Sequence, residues 1–123
     1  MALKHYTEPG GGFIREDGHH IPITLDAAAV DAGHTGFTTH LRRGLALGRI
    51  TSSSKYAQYN DGASDGTQVC RGYLYVDVEM LDGGAAPIDR PAVLLVTGVV
   101  DQEKVIGSDA AARTDLDGKI WHV

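Results

Sequence analysis

Residues Gly62-Ala63-Ser64-Asp65-Gly66 have the G-x-S-x-G spacing of a serine-hydrolase nucleophile elbow. In an elbow the serine rides a strained turn between a strand and a helix, which exposes its hydroxyl to a base. Here the residues after Ser64 fall into period-two alternation, the pattern of a strand, and no region supplies a βαβ alternation. A calcium loop starting at Asp61 also fails. It puts Ala63 at the third ligand position and Gly72 where a bidentate glutamate is required. Asn60-Asp61-Gly62 and Asp65-Gly66 are turn formers in their own right, and a turn is the reading that needs no missing partner.

The remaining chemistry-bearing residues point the same way. His19 and His20 are adjacent, so on a strand they face opposite sides and cannot chelate one ion together. His34 and His40 lie in a glycine-bearing stretch without the tight Cys or acidic spacing of a zinc site. Cys70 is the single cysteine, which excludes an intrachain disulfide, and beside Val69 it reads as a small buried hydrophobe. Tyr56, Tyr59, Tyr73 and Tyr75 could form a base-stacking platform, but the formal net charge of -5 counts against nucleic acid. Cross-strand aromatic packing is the plainer role. The residues therefore predict no catalytic group, no metal and no cofactor.

The elements that must position these residues belong to one mainly β domain. A chain of 123 residues with 42% hydrophobic content fits a single small core, and 16 glycines imply many turns. Residues 1–12 end in Gly10-Gly11-Gly12 and are expected to form a flexible arm, with 13–123 as the domain. The arm has no apolar segment of secretory type. The longest nearly apolar run, 91–100, is about half the length a membrane helix requires.

Along the domain, Phe13-Ile14 opens a short strand and Glu16-Asp17-Gly18 reads as a turn. Ile21, Ile23 and Leu25 alternate with Pro22 and Thr24 as a half-buried strand, with Pro22 favouring an edge. Residues 26–40 are expected as loop. Gly44 to Thr51 is predicted as a strand, turned at Ser52-Ser53-Ser54-Lys55, with 56–59 as its hairpin partner. The clearest strand is 69–80: Leu74, Val76, Val78 and Met80 occupy one face, and Tyr73, Tyr75, Asp77 and Glu79 the other. Residues 81–90 read as a loop. The valine-rich run 91–100 is predicted to be buried on both faces, with 101–106 as a short strand. Ser108 is the expected cap of a short helix over Ala110-Ala111-Ala112-Arg113, Asp117-Gly118 its end, and Lys119 to Val123 a final strand.

The order and spacing of two segments within 44–80 carry a resemblance. Gly44-Leu45-Ala46-Leu47-Gly48-Arg49-Ile50-Thr51-Ser52-Ser53-Ser54-Lys55-Tyr56 is similar to G-x-x-L-G-K-I-T-x-S-G-K-Y. Asp65-Gly66-Thr67-Gln68-Val69-Cys70-Arg71-Gly72-Tyr73-Leu74 is similar to D-G-x-x-x-A-x-G-I-L. Together they resemble the phage head decoration protein family, of the lambda head-stabilising protein D type. Phe13-Ile14-Arg15-Glu16 with Ile21 to Leu25 resembles the N-terminal strands of some members, and the helix after Ser108 resembles the family's close. The sequence departs from the pattern at Ser54, usually glycine, at Cys70 for alanine and at Tyr73 for isoleucine.

The resemblance implies a small β-clip or barrel-like domain with a short C-terminal helix. It implies a non-enzymatic homotrimer that binds the major capsid protein on the outside of expanded heads, at local threefold positions, as cement against the pressure of packaged DNA. Assembly would take place in the host cytoplasm, with no membrane and no nucleic-acid partner. Tyr6, Thr7, Glu8 and Pro9 of the arm, with Phe13 and Ile14 beyond it, are the expected capsid contacts. Val93, Leu95 and Trp121 are the expected trimer contacts. The alternative is a small carbohydrate- or ligand-binding module that uses exposed Tyr73 and Tyr75 as its platform.

Overall fold

The computed structural model describes residues 13–29, 40–82 and 86–123. The elements run β1 (Ile14–Asp17), β2 (His20–Leu25), β3 (His40–Leu41), β4 (Ala46–Arg49), β5 (Tyr56–Gln58) and β6 (Gly72–Leu74). They continue as β7 (Val78–Glu79), β8 (Leu81–Asp82), β9 (Ala86–Pro87), β10 (Arg90–Leu95), β11 (Gly98–Val100), the helix α1 (Ala110–Asp115) and β12 (Ile120–His122). Five strands close a barrel in the order β10-β2-β5-β4-β6, and β1-β11-β12 form a second, three-stranded sheet. The mainly β, barrel-like fold with a short C-terminal helix is thus present. The expected arm, 1–12, lies outside the described residues.

Two cores share one wall. Leu25, Leu45, Leu47, Leu74 and Leu94 fill the barrel interior. Phe13, Tyr73, Leu95, Val100, Leu116 and Ile120 form a second core beneath the helix and the three-stranded sheet. Successive strand residues point to opposite faces, so Tyr73 and Leu74, like Leu95 and Leu94, go into different cores. All three residues of β6 are buried because β4 and β10 flank it and both of its faces are covered. Each fully buried leucine contributes roughly 1.5–3 kcal/mol, so a second layer over the barrel adds substantially to a chain of this size.

Local expectations hold where turn and strand are adjacent in sequence. The β4–β5 hairpin pairs Leu47 with Gln58 and Arg49 with Tyr56. Strand β2 buries Ile23 and Leu25 between exposed neighbours, although Ile21, expected on the same face, is 38% exposed where the strand's start leaves the core, and β12 closes the chain. Helix α1 starts one residue later than expected. Its N-cap is Asp109, whose carboxylate accepts the Ala112 amide at 2.8 Å, while the Ser108 hydroxyl is engaged with Tyr73.

The long strands break. The stretch 69–80 is a strand only at β6 and β7. After the Tyr75 amide donates to the Val93 carbonyl (2.8 Å), Asp77 takes the Arg43 amide (2.7 Å) and the chain turns off to pair β7 with β3. Val76, expected on the buried face, is 39% exposed. The run 91–100 is likewise two strands in two sheets. The His19 carbonyl accepts from both Val96 and Thr97 amides, and between β10 and β11 the chain leaves the barrel. Strand β10 is not buried on both faces throughout, since Pro91 stays exposed and Val93 half-buried. Residues 102–104 form a turn rather than a strand, and Ile106 makes a single bridge to Leu45. Within 81–90, expected as loop, β8 and β9 pair as a two-residue ladder.

Gly72 opens β6 beside its antiparallel neighbour β10, and a Cβ there would overlap the Leu95 carbonyl oxygen. Backbone cannot give way as a side-chain tip can. Gly72→Ala is therefore expected to cost about 1–3 kcal/mol in urea unfolding. At Gly62 the nearest atom to an added Cβ is the Asn60 side-chain oxygen, 3.6 Å away. Gly62→Ala should stay within about 0.5 kcal/mol of the parent. Equal effects at the two positions would contradict that close approach.

Candidate functional site

The loop that imitates a catalytic elbow is a hydrogen-bonded turn. Asn60 Oδ1 accepts the Gly62 amide at 3.0 Å, and Gln68 Oε1 accepts the Gly66 amide at 2.8 Å. Asp65 Oδ1 accepts both the Thr67 amide (3.0 Å) and the Thr67 hydroxyl (2.6 Å). These bonds hold the Asp65 carboxyl below the usual carboxylate range. Ser64 is exposed and is followed by β6, with no helix on the way, so the strand–serine–helix geometry of an elbow does not form.

This loop is clasped onto the hairpin. The Thr51 amide donates to the Asp65 carbonyl (2.9 Å) and the Asn60 amide to the Thr67 carbonyl (3.0 Å). A Cβ on Gly48 would stand 2.5 Å from Thr67 Cα, and one on Gly66 would overlap the Arg49 carbonyl oxygen. Gly66 has φ +113°, a region that glycine enters without strain. Ser54, at the tip of the β4–β5 turn, has φ +64° and is the one non-glycine residue with positive φ among those described.

Four groups with displaced proton affinities, Tyr59, Cys70, Tyr73 and His122, sit between the barrel and the C-terminal elements. Tyr73 is fully buried, its hydroxyl 2.6 Å from His122 Nε2 and 2.9 Å from the Ser108 hydroxyl. Burial raises the affinity of the Tyr73 phenol for its proton well above normal. The Tyr59 hydroxyl donates to Asp109 (3.0 Å), and burial first, then Asp109, raises its pKa too. Burial pushes the Cys70 thiol up to about 12, so at neutral pH it is not a thiolate nucleophile. Its backbone amide donates to Asp115 at 2.9 Å. Burial, with Arg113 nearby as the smaller cause, lowers His122 below its ordinary value. These groups tie β6 and the loops to α1 and β12. Among the described residues no three His, Cys, Asp or Glu side chains gather as a metal-binding set.

The expected contact residues separate into distinct environments. Tyr6, Thr7, Glu8 and Pro9 lie outside the described residues, as does His34. Phe13 has no exposed surface; it packs edge-on to Tyr73 at 6.4 Å with the Arg43 guanidinium 5.9 Å over its ring. Leu95 is equally buried. Both are core residues, because a side chain sealed inside the fold has no surface left for a partner. Ile14 and Val93 are half-buried, and Trp121 is 70% exposed. The tyrosine platform of the ligand-binding alternative does not form. Tyr73 is internal, and Tyr75 bonds Asp17 (2.7 Å) beneath the His20 ring at 4.6 Å. Among the described residues the tyrosines do not stack on one another across strands; Tyr73 meets Phe13 and His122 instead.

What remains accessible is an apolar C-terminal surface. Trp121 and Val123, the latter 52% exposed, lie on and just after β12, which among the described residues pairs with β11 on one side only. Sequence reasoning named Trp121 but missed the polar line behind it. The only available signal was a tyrosine directly after Gly72. Compared with known proteins, the chain matches no protein-family model and no curated protein sequence.

The Tyr73–His122 bond has a defined pH dependence. In the tautomer whose Nε2 carries no proton, the imidazole accepts from the Tyr73 hydroxyl, and protonating Nε2 removes that acceptor. A histidine whose folded pKa lies below its unfolded one stabilises fully above the unfolded value, about 6.5. That stability is lost as pH falls from there toward the lowered value. The bonded carboxyls Asp65 and Asp89 are also lowered, and their contributions are lost only further down, as pH falls through their folded values. The melting temperature should therefore drop between about pH 7 and pH 5, and His122→Gln should flatten that limb. An unchanged slope in the variant would remove His122 as its cause.

Proposed function

We propose that this chain is a capsid decoration protein, a non-enzymatic cement that binds the outside of expanded phage heads as a trimer at local threefold positions. The observation that carries this reading is the match between the family-like spacing and backbone necessity. Ser54, where the similar segment usually has glycine, is held at φ +64°. Gly48, Gly66 and Gly72 occupy close approaches that exclude a Cβ. The spacing that resembles the decoration proteins is thus the spacing that lets hairpin, turn and β6 lock together.

The surface favours assembly. Trp121 and Val123 expose apolar area that a partner would cover, and exposed tryptophans are frequent anchors of interfaces. The Phe13 carbonyl accepts the Asp101 amide (2.7 Å), and the Gln102 amide donates to the Val123 carbonyl (3.0 Å). The root of the arm 1–12 and the apolar C-terminal residues are therefore neighbours on the three-stranded sheet. An arm that orders on binding pays its entropy at that step, so single contacts would be weak, and a trimer would strengthen them by avidity. Tyr6 to Pro9 with Ile14 are the capsid contacts in this reading, and Trp121 with Val93 the trimer contacts. The partner is the major capsid protein, and the location is the virion surface.

Co-sedimentation with expanded, decoration-free heads and with unexpanded proheads tests it. Saturable binding to expanded heads alone is expected, and binding to neither would refute the function. Deleting residues 1–12 should abolish head binding while leaving the thermal transition unchanged; a deletion that still binds would remove the arm's role. Trp121→Ser should lower the oligomeric state in sedimentation equilibrium, and an unaltered trimer would exclude β12 from the contact.

A further inference from the structure

The barrel is closed by uneven seams. Strand β2 pairs with β10 along its whole length, from His20↔Leu95 to Leu25↔Arg90. On its other side it meets β5 at one position only, Leu25↔Tyr56. Two bonds set the phase: the Asp26 amide donates to the Tyr56 carbonyl (2.9 Å), and the His19 carbonyl accepts the Val96 amide (2.9 Å). Successive residues of a strand direct their backbone groups to alternate sides. Thr24, Pro22 and His20, in phase with Asp26, therefore turn theirs toward β5. Because the pairing is parallel and β5 begins at Tyr56, no strand among the described residues lies opposite β2 before Leu25. Pro22 has no N–H, so its place on this open edge leaves no orphan donor.

The gap is a surface groove. Two depressions of about 450 and 380 Å³ meet at Ile21 and Tyr56, which line both. One runs along Pro22 and Thr24, and the other ends between Arg71 and Lys119. Both cations are exposed, and among the described residues neither pairs with a carboxylate. Among the described residues no acidic side chain lines either depression, on a chain whose formal net charge is -5.

We propose that this groove is a binding site for an extended acidic peptide that adds as a strand to the open edge of β2. An unpaired strand edge calls for another extended backbone. The apolar floor takes alternate side chains, and Arg71 with Lys119 select carboxylates over cations. The exposed edge of about four residues spans roughly 13 Å, enough to seat a short linear segment. The site lies on barrel strands and does not use the arm or Trp121, so it stands or falls separately from the capsid reading.

The test uses the full chain without heads. The probe is a fluorescein-labelled octapeptide alternating valine with glutamate; its counterpart has lysine for glutamate. Saturable anisotropy is expected with the glutamate peptide only, together with amide shifts at Thr24 and His20 in NMR spectra. The double charge reversal R71E/K119E should weaken binding about tenfold or more without altering the melting temperature. N-methylation of alternate peptide amides on the bonding edge should abolish it. No saturable binding, equal binding of the lysine peptide, or indifference to the charge reversal or to both N-methylation registers would overturn the proposal.

Discussion

Tyr73 is the residue through which the two halves of the molecule hold each other. Its strand belongs to the barrel, its neighbour Leu74 points into the barrel core, and its own ring points away into the second core. There it meets Phe13 at the entry of the domain and His122 near the C-terminus, both edge-on. A phenol buried this deeply without partners would cost about 1–3 kcal/mol. The hydroxyl is instead bonded to Ser108 and His122. The polar atom thereby becomes the point that registers helix α1 and strand β12 against the barrel. Burial and, to a smaller extent, Arg113 disfavour the charged form of His122, and Trp121 precedes it on β12.

A second constraint acts at the opposite end of β4. The loop 60–68 resembles catalytic and metal-binding motifs because glycine, aspartate and serine are what a tight turn needs as well as what such sites use. Here its carboxylate and amides are used up internally and by the β4–β5 hairpin. Close backbone approaches at Gly48 and Gly66 leave no room for side chains. The same glycines create the family-like spacing, so the motif records a packing requirement, and the proposed cement function fits a molecule whose polar clusters serve cohesion.

The residues expected to touch partners show how exposure differs from hydrophobicity. Phe13 and Leu95 looked like available apolar contacts, but the second layer of the fold seals both. Trp121, with the same apolar character, is left outside because it alternates to the face of β12 opposite the buried Ile120. Likewise the strict alternation of 69–80 marked Tyr73 as outward-facing. Alternation identifies two faces and does not say whether the second one is covered, and here another sheet and a helix cover it.

By itself the sequence determined what neighbouring residues settle among themselves: the turn at 60–68, the β4–β5 hairpin, the half-buried β2, the buried Cys70, the short helix to within one residue, and the closing strand. Each depends on local backbone preference and on side-chain periods that hold whatever lies across the molecule. Tertiary structure alone decided where the long apolar run changes sheets, which tyrosines are internal, and that β2 meets β5 at one position and leaves an open edge. Those outcomes depend on pairings between distant strands, such as β2 with β10 and β1 with β11. Their energies come from surfaces that meet only once the chain has closed, and no short window of sequence contains both sides of such a contact.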